Sequence, residues 1–419
     1  MIKVLAAIVV PPHLAVSGGA RAGEELCAAL ADHCSITVAN MMGDKVRVER
    51  AAGRLHRSPV TTWLPPVMPW SRLPARYSTL FYRSNLPRIV REGDFDLVHI
   101  HNPMPALEMQ RVARACLARG VPYVVTTHGF NEVANGGQVY GFDPLRRTVW
   151  KRLVEAPVAR VVRHADGIFA LSPADFDIVR GMGFTGAELP VVTNGVSPPL
   201  APAADDADEL ARLGIPAQRT PGQTACMFLA NHTPNKGLPV LLEAFARLER
   251  PYLLIVAGDK RPEIDYASYI ARCRPGQSIV VTGRLSGAAV GAVFRRSDLF
   301  VFPTLADTFP LVVLEAMAHG LPVLASRVGG IPHQVDARFG ELVEPGDVEG
   351  LRAAVDRLAG DPARLAVMGR AAGRHAAVHY TWEKAATDAL AAYERVLRSR
   401  SVARPAPAVR AHAGETAAS

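Results

Sequence analysis

The sequence predicts an α/β protein made of two Rossmann-like, doubly wound domains that face each other across a cleft. Three observations predict this fold class. Apolar runs alternate with helix-like segments, which is typical of a parallel sheet covered on both faces. A stretch rich in proline and small residues interrupts the alternation around 198–224, and the alternation then restarts. The 419 residues are enough for two domains, each with its own core.

The first domain is predicted to span residues 1–198. An amphipathic stretch after Gly19 predicts its first helix, and short apolar runs bounded by polar residues predict its strands. The predicted strands are "IKVLAAIVV" (2–10), "SITVAN" (35–40), "FDLVHIH" (95–101), "VPYVVTTH" (121–128) and "DGIFALS" (166–172).

Residues 199–222 are predicted to be a linker that carries one short helical stretch. A second domain over 223–380 follows, with helices starting at Gly237 and near 264 and 286. Its predicted strands are "TACMFLAN" (224–231), "YLLIVAGD" (252–259), "SIVVTG" (278–283) and two strands within 300–326. The apolar face of 381–398 predicts a helix that packs back on the body. Residues 399–419 lack apolar periodicity and are predicted to be disordered.

Charge and cysteine content limit the compartment and the partners. The chain carries 47 basic and 39 acidic residues, a net charge of +8, which suits anionic small molecules or membrane surfaces as well as nucleic acid. No nucleic-acid partner is predicted. The five cysteines show no CxxC pair, which favours free thiols in a reducing cytosol. The apolar run Val4–Val10 is too short to span a bilayer, so we expect a cytoplasmic protein.

Two carboxylates in the segment "FVFPTLADTFPLVVLEAMAHGLPVLAS" (300–326) do not serve a hydrophobic core. Asp307 lies in the loop after an apolar strand, and Glu315 lies about two turns into the helix that follows. The unpaired N–H groups of the first helical turn, which lie between them, favour an anion such as phosphate. This layout predicts a site for a sugar, a diphosphate and a ribose in series.

The segment 298–346, which begins "DLFVFPTLADTFPLVVLEA", resembles the donor-binding core of the large retaining glycosyltransferase family with the GT-B fold, called family 4 or group 1. That family carries an E-x7-E motif here, matched by Asp307 and Glu315. The resemblance covers nearly the whole chain before residue 398. Its further motifs are "VHIH" (98–101), "TTHGF" (126–130), "VTNGV" (192–196), "NKG" (235–237) and the glycine pair at 18–19.

The resemblance implies a role for each matching residue. Glu315 would bind the ribose hydroxyls of a donor nucleotide, and Asp307 would contact the transferred sugar. The alternatives are a solvated helix residue and a helix cap, respectively. The predicted catalytic residues are His128, Lys236 and Asp307. The predicted donor-binding residues are Gly18, Gly19, Asn231, Arg284, Thr308, Phe309, Leu311 and Glu315.

The chemistry of these residue types fits the implied roles. Lys236, next to a helix start, could stabilise the charge on a departing diphosphate, or it is a surface lysine. His128 would orient the reacting carbon, or it is a core histidine. Glycines at 18 and 19 let the backbone approach a ligand closely. His99, His101 and Asn194 also match family positions, although they could simply shape strand ends.

The resemblance implies a nucleoside-diphosphate sugar as co-substrate, with no further cofactor and no metal. The donor would bind mainly to the second domain, and a sugar, lipid-linked or small-molecule acceptor mainly to the first. The D-x-D at Asp206–Asp208 lies in the linker and not after a strand, so we assign it no metal.

Three positions depart from the family pattern. Asp307 replaces a glutamate and has a shorter reach. Asn231 stands where the family commonly has an arginine that binds the diphosphate together with the lysine. Lys236 would then bind the diphosphate with less help, and Arg284 or His232 are candidates to replace the arginine. Pro310 replaces a glycine and has no N–H to donate.

The stretch 54–91 is the candidate for peripheral membrane contact. It contains seven arginines and no acids, together with five tryptophan, tyrosine and phenylalanine residues. Such a surface could rest on anionic lipid or line an acceptor pocket. The alternative is an irregular, solvated helix-and-loop insertion.

Other functions of doubly wound proteins would leave different marks on the sequence. A nicotinamide-dependent oxidoreductase would show G-x-G-x-x-G after its first strand, and "PPHLAVSGGARAGEEL" does not. A pyridoxal phosphorylase would be far longer. A nucleotide-sugar epimerase of the same fold and a non-catalytic nucleotide-sugar-binding protein stay open as alternatives.

Overall fold

The computed structural model describes residues 1–8, 18–40, 55–66, 69–70, 78–102, 104–199, 201–202 and 206–403. Two six-stranded parallel sheets, each covered by helices, form two domains that face each other across a cleft. The predicted fold class is therefore confirmed.

The first sheet and a small two-stranded ribbon lie in the N-terminal half. The ribbon pairs Thr62 with Ser84 in antiparallel register. The strands are β1 (Lys3–Ile8), β2 (Ser35–Asn40), β3 (Leu55–Pro59), the ribbon strands β4 (Thr62–Trp63) and β5 (Arg83–Ser84), β6 (Leu97–Ile100), β7 (Tyr123–Thr126) and β8 (Gly167–Phe169). The order across the sheet is β3-β2-β1-β6-β7-β8.

The second sheet repeats the same winding. Its strands are β9 (Thr224–Leu229), β10 (Tyr252–Ala257), β11 (Gln277–Gly283), β12 (Leu299–Phe302), β13 (Val323–Ser326) and β14 (Gly340–Val343), in the order β11-β10-β9-β12-β13-β14. In each sheet the strand order reverses beside the first strand. Ligands of such sheets bind beyond the carboxyl ends of the strands at this reversal, which here lies after β9 and β12.

The helices that cover the sheets are amphipathic or, where covered on both sides, apolar all round. They are α1 (Gly18–Leu30), α2 (Leu86–Glu92), α3 (Ala106–Arg119), α4 (Phe130–Val139), α5 (Pro144–Trp150), α6 (Ala156–Arg163), α7 (Asp175–Gly181), α8 (Asp206–Arg212), α9 (Leu238–Ala246), α10 (Tyr266–Ala271), α11 (Gly287–Arg296), α12 (Leu311–Ala318), α13 (Ile331–Gln334), α14 (Val348–Ala359), α15 (Pro362–His379) and α16 (Trp382–Ala403).

The C-terminal helix α16 crosses back to the first domain, where it packs against α1. Its predicted apolar face is buried, and the Tyr393 hydroxyl lies 2.6 Å from Nδ1 of His99 beneath the first sheet. Gly195 allows the crossing, because a Cβ there would lie 2.5 Å from the backbone nitrogen of Trp382. The helix continues to Ala403, so the predicted start of disorder at 399 is wrong. Residues 404–419 lie outside the described residues.

Three features of local structure were not expected from the sequence. β3 lies within 54–91, for which the sequence offered a membrane surface, an acceptor-pocket lining or, as the alternative, an irregular insertion. Its half-exposed sequence "LHRSP" has no apolar run that would indicate a strand. β14 was not predicted. Asp206 of the linker D-x-D begins α8 and accepts two hydrogen bonds from Arg295, at 2.6 and 2.5 Å.

Candidate donor site

Two adjoining cavities lie in the cleft beyond the carboxyl ends of β9 and β12. The first, about 240 Å³, is lined by both domains and holds Lys236, Asp307 and His128. The second, about 310 Å³, holds Glu315 and Arg21. Leu311 lines both cavities, which places them side by side along α12. We call them the Lys236 cavity and the Glu315 cavity.

Lys236 and Asp307 form an ion pair in the Lys236 cavity. Nζ of Lys236 donates to Oδ2 of Asp307 at 2.7 Å, and the backbone N–H of Thr308 donates to Oδ1 at 3.0 Å. Pro310, not Asp307, is the N-cap residue of α12, and no side chain caps this helix. The alternative role of Asp307 as a helix cap is therefore not what the structure shows.

Backbone contacts hold the two sides of this pair together. The carbonyl of Asn235 accepts from the Thr304 hydroxyl at 2.8 Å and from the N–H of Leu305 at 2.7 Å. Gly237 adopts a left-handed φ of 68°, and a Cβ there would lie 1.8 Å from the carbonyl oxygen of Pro303. Only glycine fits at this contact, so the turn that presents Lys236 is locked to the end of β12.

The first domain contributes His128 and the glycine pair. His128 is buried two residues beyond β7, and a Cβ on Gly19 would lie 3.5 Å from its ring, in ordinary contact. Gly18 faces open space at the same cavity. Glu132, on the same wall, was not singled out from the sequence. Its carboxylate hydrogen-bonds the hydroxyl of Tyr140.

Glu315 lies on α12 and pairs with Arg21 of α1, so this contact joins the two domains. The carboxylate side chain is 21% exposed and the guanidinium side chain 42%. Glu315 is therefore not a freely solvated helix residue. Its partner Arg21 was missed, because nothing in the local sequence shows which surface α1 will face.

Two asparagines of the first domain also reach the loop between β12 and α12 of the second domain. We call this loop, which carries Asp307, the donor loop. Nδ2 of Asn131 donates to the carbonyl of Asp307 at 2.8 Å, and Nδ2 of Asn194 donates to the carbonyl of Phe309 at 3.1 Å. The side chains of Thr308 and Phe309, which lie at these contacts, are buried. The loop that carries Asp307 is thus held from both domains.

Three predicted cationic or polar partners do not reach the cavities. Asn231 is exposed, and Arg284 lies 3.7 Å from Asp259; neither lines either cavity. His232 is buried, with Nδ1 2.7 Å from the hydroxyl of Tyr266 and Nε2 3.3 Å from the carbonyl of Ala257. His232 therefore does not replace the missing arginine, because both of its ring nitrogens are already engaged.

His99 and His101 lie inside the first domain at the end of β6, stacked with ring centroids 3.7 Å apart. Nε2 of His99 contacts the Thr126 hydroxyl at 2.7 Å, and a Cβ on Gly23 would lie 3.1 Å from the ring of His101. These two histidines therefore shape the strand ends, which is the alternative that the sequence left open to a direct role in the site.

Burial makes these histidines neutral. Desolvation lowers the pKa of His128 to about 4 and that of His101 to about 3. It also lowers the pKa of His99 well below its usual range, helped by the neighbouring imidazoles. The pKa of buried Asp175 shifts in the opposite direction, because desolvation raises it to about 6. This carboxylate accepts a hydrogen bond from the Thr127 hydroxyl at 2.5 Å.

These shifts predict a loss of stability in acid. A histidine whose pKa is lowered by folding favours the folded state fully above its unfolded pKa of about 6.5, and the advantage is lost as the pH falls through the folded value. Each histidine contributes up to about 1.4 kcal/mol per pH unit in that window. As the pH falls, protonation of Asp175 stabilises the folded state. This gain in stability offsets the loss that comes from one of the three histidines.

The check is urea unfolding of the wild type and of His128→Gln between about pH 7 and pH 5. We expect the free energy of unfolding to fall with pH in the wild type and to fall less steeply in the variant. His33→Gln, at an exposed position, serves as the control. An equal slope in wild type and His128→Gln would show that His128 is not held neutral by burial.

The predicted membrane surface is described only in part. Of 54–91 the structure describes 55–66, 69–70 and 78–91, where Trp63 is 46% exposed and Arg83 lies 3.9 Å from Glu108. Membrane contact stays a prediction, which co-sedimentation with anionic phospholipid vesicles would test. In the described part of the chain, no helix has the length and apolarity needed to cross a bilayer.

Two family models match this chain, one on each domain. The model described as Glycosyltransferase Family 4 matches residues 16–198, and the model described as Glycosyl transferases group 1 matches residues 223–361. Together they cover both sheets except β1, and they include the segment with Asp307 and Glu315. The chain belongs to the group 1, or family 4, glycosyltransferases.

Curated relatives of this family are similar over about seven tenths of the chain. The D-inositol 3-phosphate glycosyltransferase of Segniliparus rotundus is 31% identical over 309 residues, which is 70% of this chain and 64% of the relative. The MMP alpha-(1->4)-mannosyltransferase of Mycolicibacterium hassiacum is 28% identical over 316 residues, 73% of this chain and 72% of the relative. The match thus spans less than two thirds of the first relative.

Solved structures of GT-B glycosyltransferases share the whole fold. Sucrose-phosphate synthase from Thermosynechococcus elongatus has a TM-score of 0.71 at 18% identity, covering 95% of this chain and all of that one. Anabaena HepE, solved in complex with UDP and glucose, has a TM-score of 0.68 at 16% identity, covering 94% of this chain and all of that one. At this identity the likeness shows the fold, and the GT-B prediction is confirmed.

Proposed function

We propose that this protein is a retaining glycosyltransferase. It moves a hexose-type sugar from a nucleoside-diphosphate sugar to a hydroxyl acceptor, in the synthesis of a cell-surface glycan, a glycolipid or a secondary metabolite. The observation that carries the proposal is the arrangement along one loop and helix. Lys236 pairs with Asp307 in the loop just before α12, and Glu315 lies about one turn into that helix, all facing one cleft.

The proposed donor lies along α12. Its nucleoside occupies the Glu315 cavity, where the carboxylate accepts hydrogen bonds from the ribose hydroxyls. Its diphosphate lies at the helix start, where backbone N–H groups are unpaired and where Lys236 brings a positive charge. Its sugar occupies the Lys236 cavity between Asp307 and His128, with the acceptor entering from the first domain.

Transfer in this proposal breaks the bond between the sugar carbon and the oxygen of the departing diphosphate. The acceptor oxygen bonds to the same face of that carbon, and the proton of its hydroxyl passes to the departing phosphate oxygen. Negative charge grows on the diphosphate as the bond breaks, so Lys236 stabilises the transition state more than the bound donor. Neutral His128 hydrogen-bonds the sugar without adding charge.

The relatives support this class of reaction, because their names state glycosyl transfer and mannosyl transfer. The bound UDP and glucose in HepE support a nucleotide-sugar donor for this fold. We propose no metal and no further cofactor in the reaction, since Lys236 and the helix start supply the positive charge. Turnover unchanged by EDTA is the result that this proposal expects.

The direct test is a thermal-shift screen of the purified chain against UDP-, GDP- and ADP-sugars and the free diphosphates. We expect one nucleotide series to raise the melting temperature, because a ligand that binds only the folded state stabilises it. Sugar transfer or donor hydrolysis is then measured with that donor. Isomerised donor without transfer would indicate an epimerase, and tight binding without turnover would indicate a non-catalytic binding protein.

A further inference from the structure

The cleft contains a cation that neither the motif nor the proposed chemistry uses. Among the described residues that line the two cavities, the lysine and arginine side chains are those of Arg21, Lys236 and Arg295. Lys236 pairs with Asp307, and Arg295 makes its double hydrogen bond with Asp206. Arg21 pairs with Glu315, the carboxylate proposed to bind the ribose, and it has no role of its own in the motif or in the proposed transfer.

The site also lacks a cation where one is expected. Asn231 stands in place of the arginine that would share the diphosphate, and the structure excludes both substitutes considered from the sequence. Arg284 lies beside Asp259, and His232 is buried and neutral, since desolvation lowers its pKa. A diphosphate at the start of α12 would then meet one lysine from the second domain.

We propose that Arg21 is the second phosphate-binding cation, supplied by the first domain. The proposal rests on the proposed function. Arg21 lies in the first turn of α1, two residues after Gly19, one of the two glycines that line the Lys236 cavity. Glu315 is four residues along α12 from its first residue Leu311, which is about 6 Å of helix rise. The arginine side chain, 42% exposed, therefore lies about one helical turn from the proposed diphosphate while it contacts Glu315.

The chemistry of the two groups allows a shared contact. A guanidinium has five N–H donors in a planar fork, and a carboxylate has two oxygens. Arg21 can therefore keep one hydrogen bond to Glu315 while it donates others to phosphate oxygens, and the ribose hydroxyls use the remaining acceptor positions. Arginine suits phosphate because the fork donates to two oxygens at once.

A purely structural role does not account for this pair. Half-exposed ion pairs contribute little to stability, and the guanidinium lies on the carboxylate that the ribose needs. Two roles remain, and they predict opposite results. A phosphate-binding arginine strengthens diphosphate binding, whereas an arginine that only covers Glu315 competes with every nucleoside and weakens all binding.

The test compares diphosphates with their parent nucleosides in Arg21→Gln, Arg21→Lys and the wild type. Affinities for UDP, GDP and ADP, and for uridine, guanosine and adenosine, are measured by isothermal titration. We expect Arg21→Gln to weaken binding of the preferred diphosphate about 10- to 100-fold, as for loss of a charged hydrogen bond. Nucleoside affinity should be unchanged or higher, and Arg21→Lys should restore part of the difference.

The control is Arg247→Gln, at the far end of α9, where the arginine pairs with Glu243. It should leave the ratio of diphosphate to nucleoside affinity unchanged. An Arg21→Gln variant that binds the diphosphate as well as the wild type, or better, overturns the role of Arg21 alone. A wild type that binds none of the three diphosphates overturns the donor proposal itself and the role of Arg21 with it.

Discussion

Replacing Lys236 with alanine is expected to lower kcat about 10²- to 10³-fold, the cost of removing one preorganised donor from developing negative charge. Lys236 is the only lysine or arginine among the described residues that line the Lys236 cavity, and burial keeps His128 there neutral. In the proposed donor complex the amine therefore supplies positive charge next to the departing diphosphate. Because that charge grows as the bond breaks, the loss should fall on kcat more than on donor KM.

Steady-state kinetics of Lys236→Ala, Lys236→Arg and Lys384→Ala with the identified donor check this expectation. Lys236→Arg keeps the charge and should retain more activity than the alanine variant. Lys384→Ala removes the same side chain from an exposed i,i+4 pair with Asp388 on α16 and should leave kcat unchanged. A folded Lys236→Ala enzyme with wild-type kcat would mean that leaving-group stabilisation comes from elsewhere.

The residues of the donor loop could be predicted because they are close in sequence. A buried strand, a polar loop and a helix follow one another between 299 and 318, so the sequence already places Asp307 in the loop and Glu315 on the helix that follows. The Lys236 turn was predictable for a similar reason, since β9 and β12 are neighbours in the sheet. Local order and sheet topology together place these groups on one edge.

The contacts between the domains were not predictable in the same way. Arg21, Asn131 and Asn194 reach the segment 307–315 from the other domain, and their partners depend on how two folded bodies pack. The apolar periodicity of α1 and α4 does not indicate which residues of the other domain these helices will contact. The structure therefore adds a second layer to the site, in which the first domain contacts the carbonyls of Asp307 and Phe309 and pairs with the carboxylate of Glu315.

The missed strands show the limit of hydrophobic patterning. Among the described strands, β3 lies at one edge of its sheet, where it pairs with β2 and presents half-exposed polar side chains. β14 lies at the edge of the second sheet and is four residues long. An edge strand is covered less than a central one, so its sequence carries a weaker apolar signal. The central strands, buried on both faces, were predicted at their observed places.

Glu315 is the second position at which a large effect is expected. Glu315→Ala should weaken binding of the preferred nucleoside diphosphate roughly 10²-fold, because in the proposed donor complex the carboxylate makes charge-assisted hydrogen bonds with the ribose hydroxyls. The structure adds an opposing contribution, since Arg21 occupies the carboxylate before the ligand arrives. In the proposed complex, removing Glu315 frees Arg21 to bind the phosphates more strongly. The measured loss of affinity is therefore the contribution of the ribose hydrogen bonds minus this gain in phosphate binding.

A double-mutant cycle separates these two contributions. Affinities of the wild type, Glu315→Gln, Arg21→Gln and the double variant are measured for the diphosphate and for its 2′-deoxy and 3′-deoxy analogues. The wild type should prefer the ribose form, and Glu315→Gln should lose most of that preference whether or not Arg21 is present. Glu349→Gln, an exposed glutamate on α14, is the matched control. Equal discrimination by wild type and Glu315→Gln would place the ribose elsewhere, and the proposed direction of the donor along α12 would be reversed.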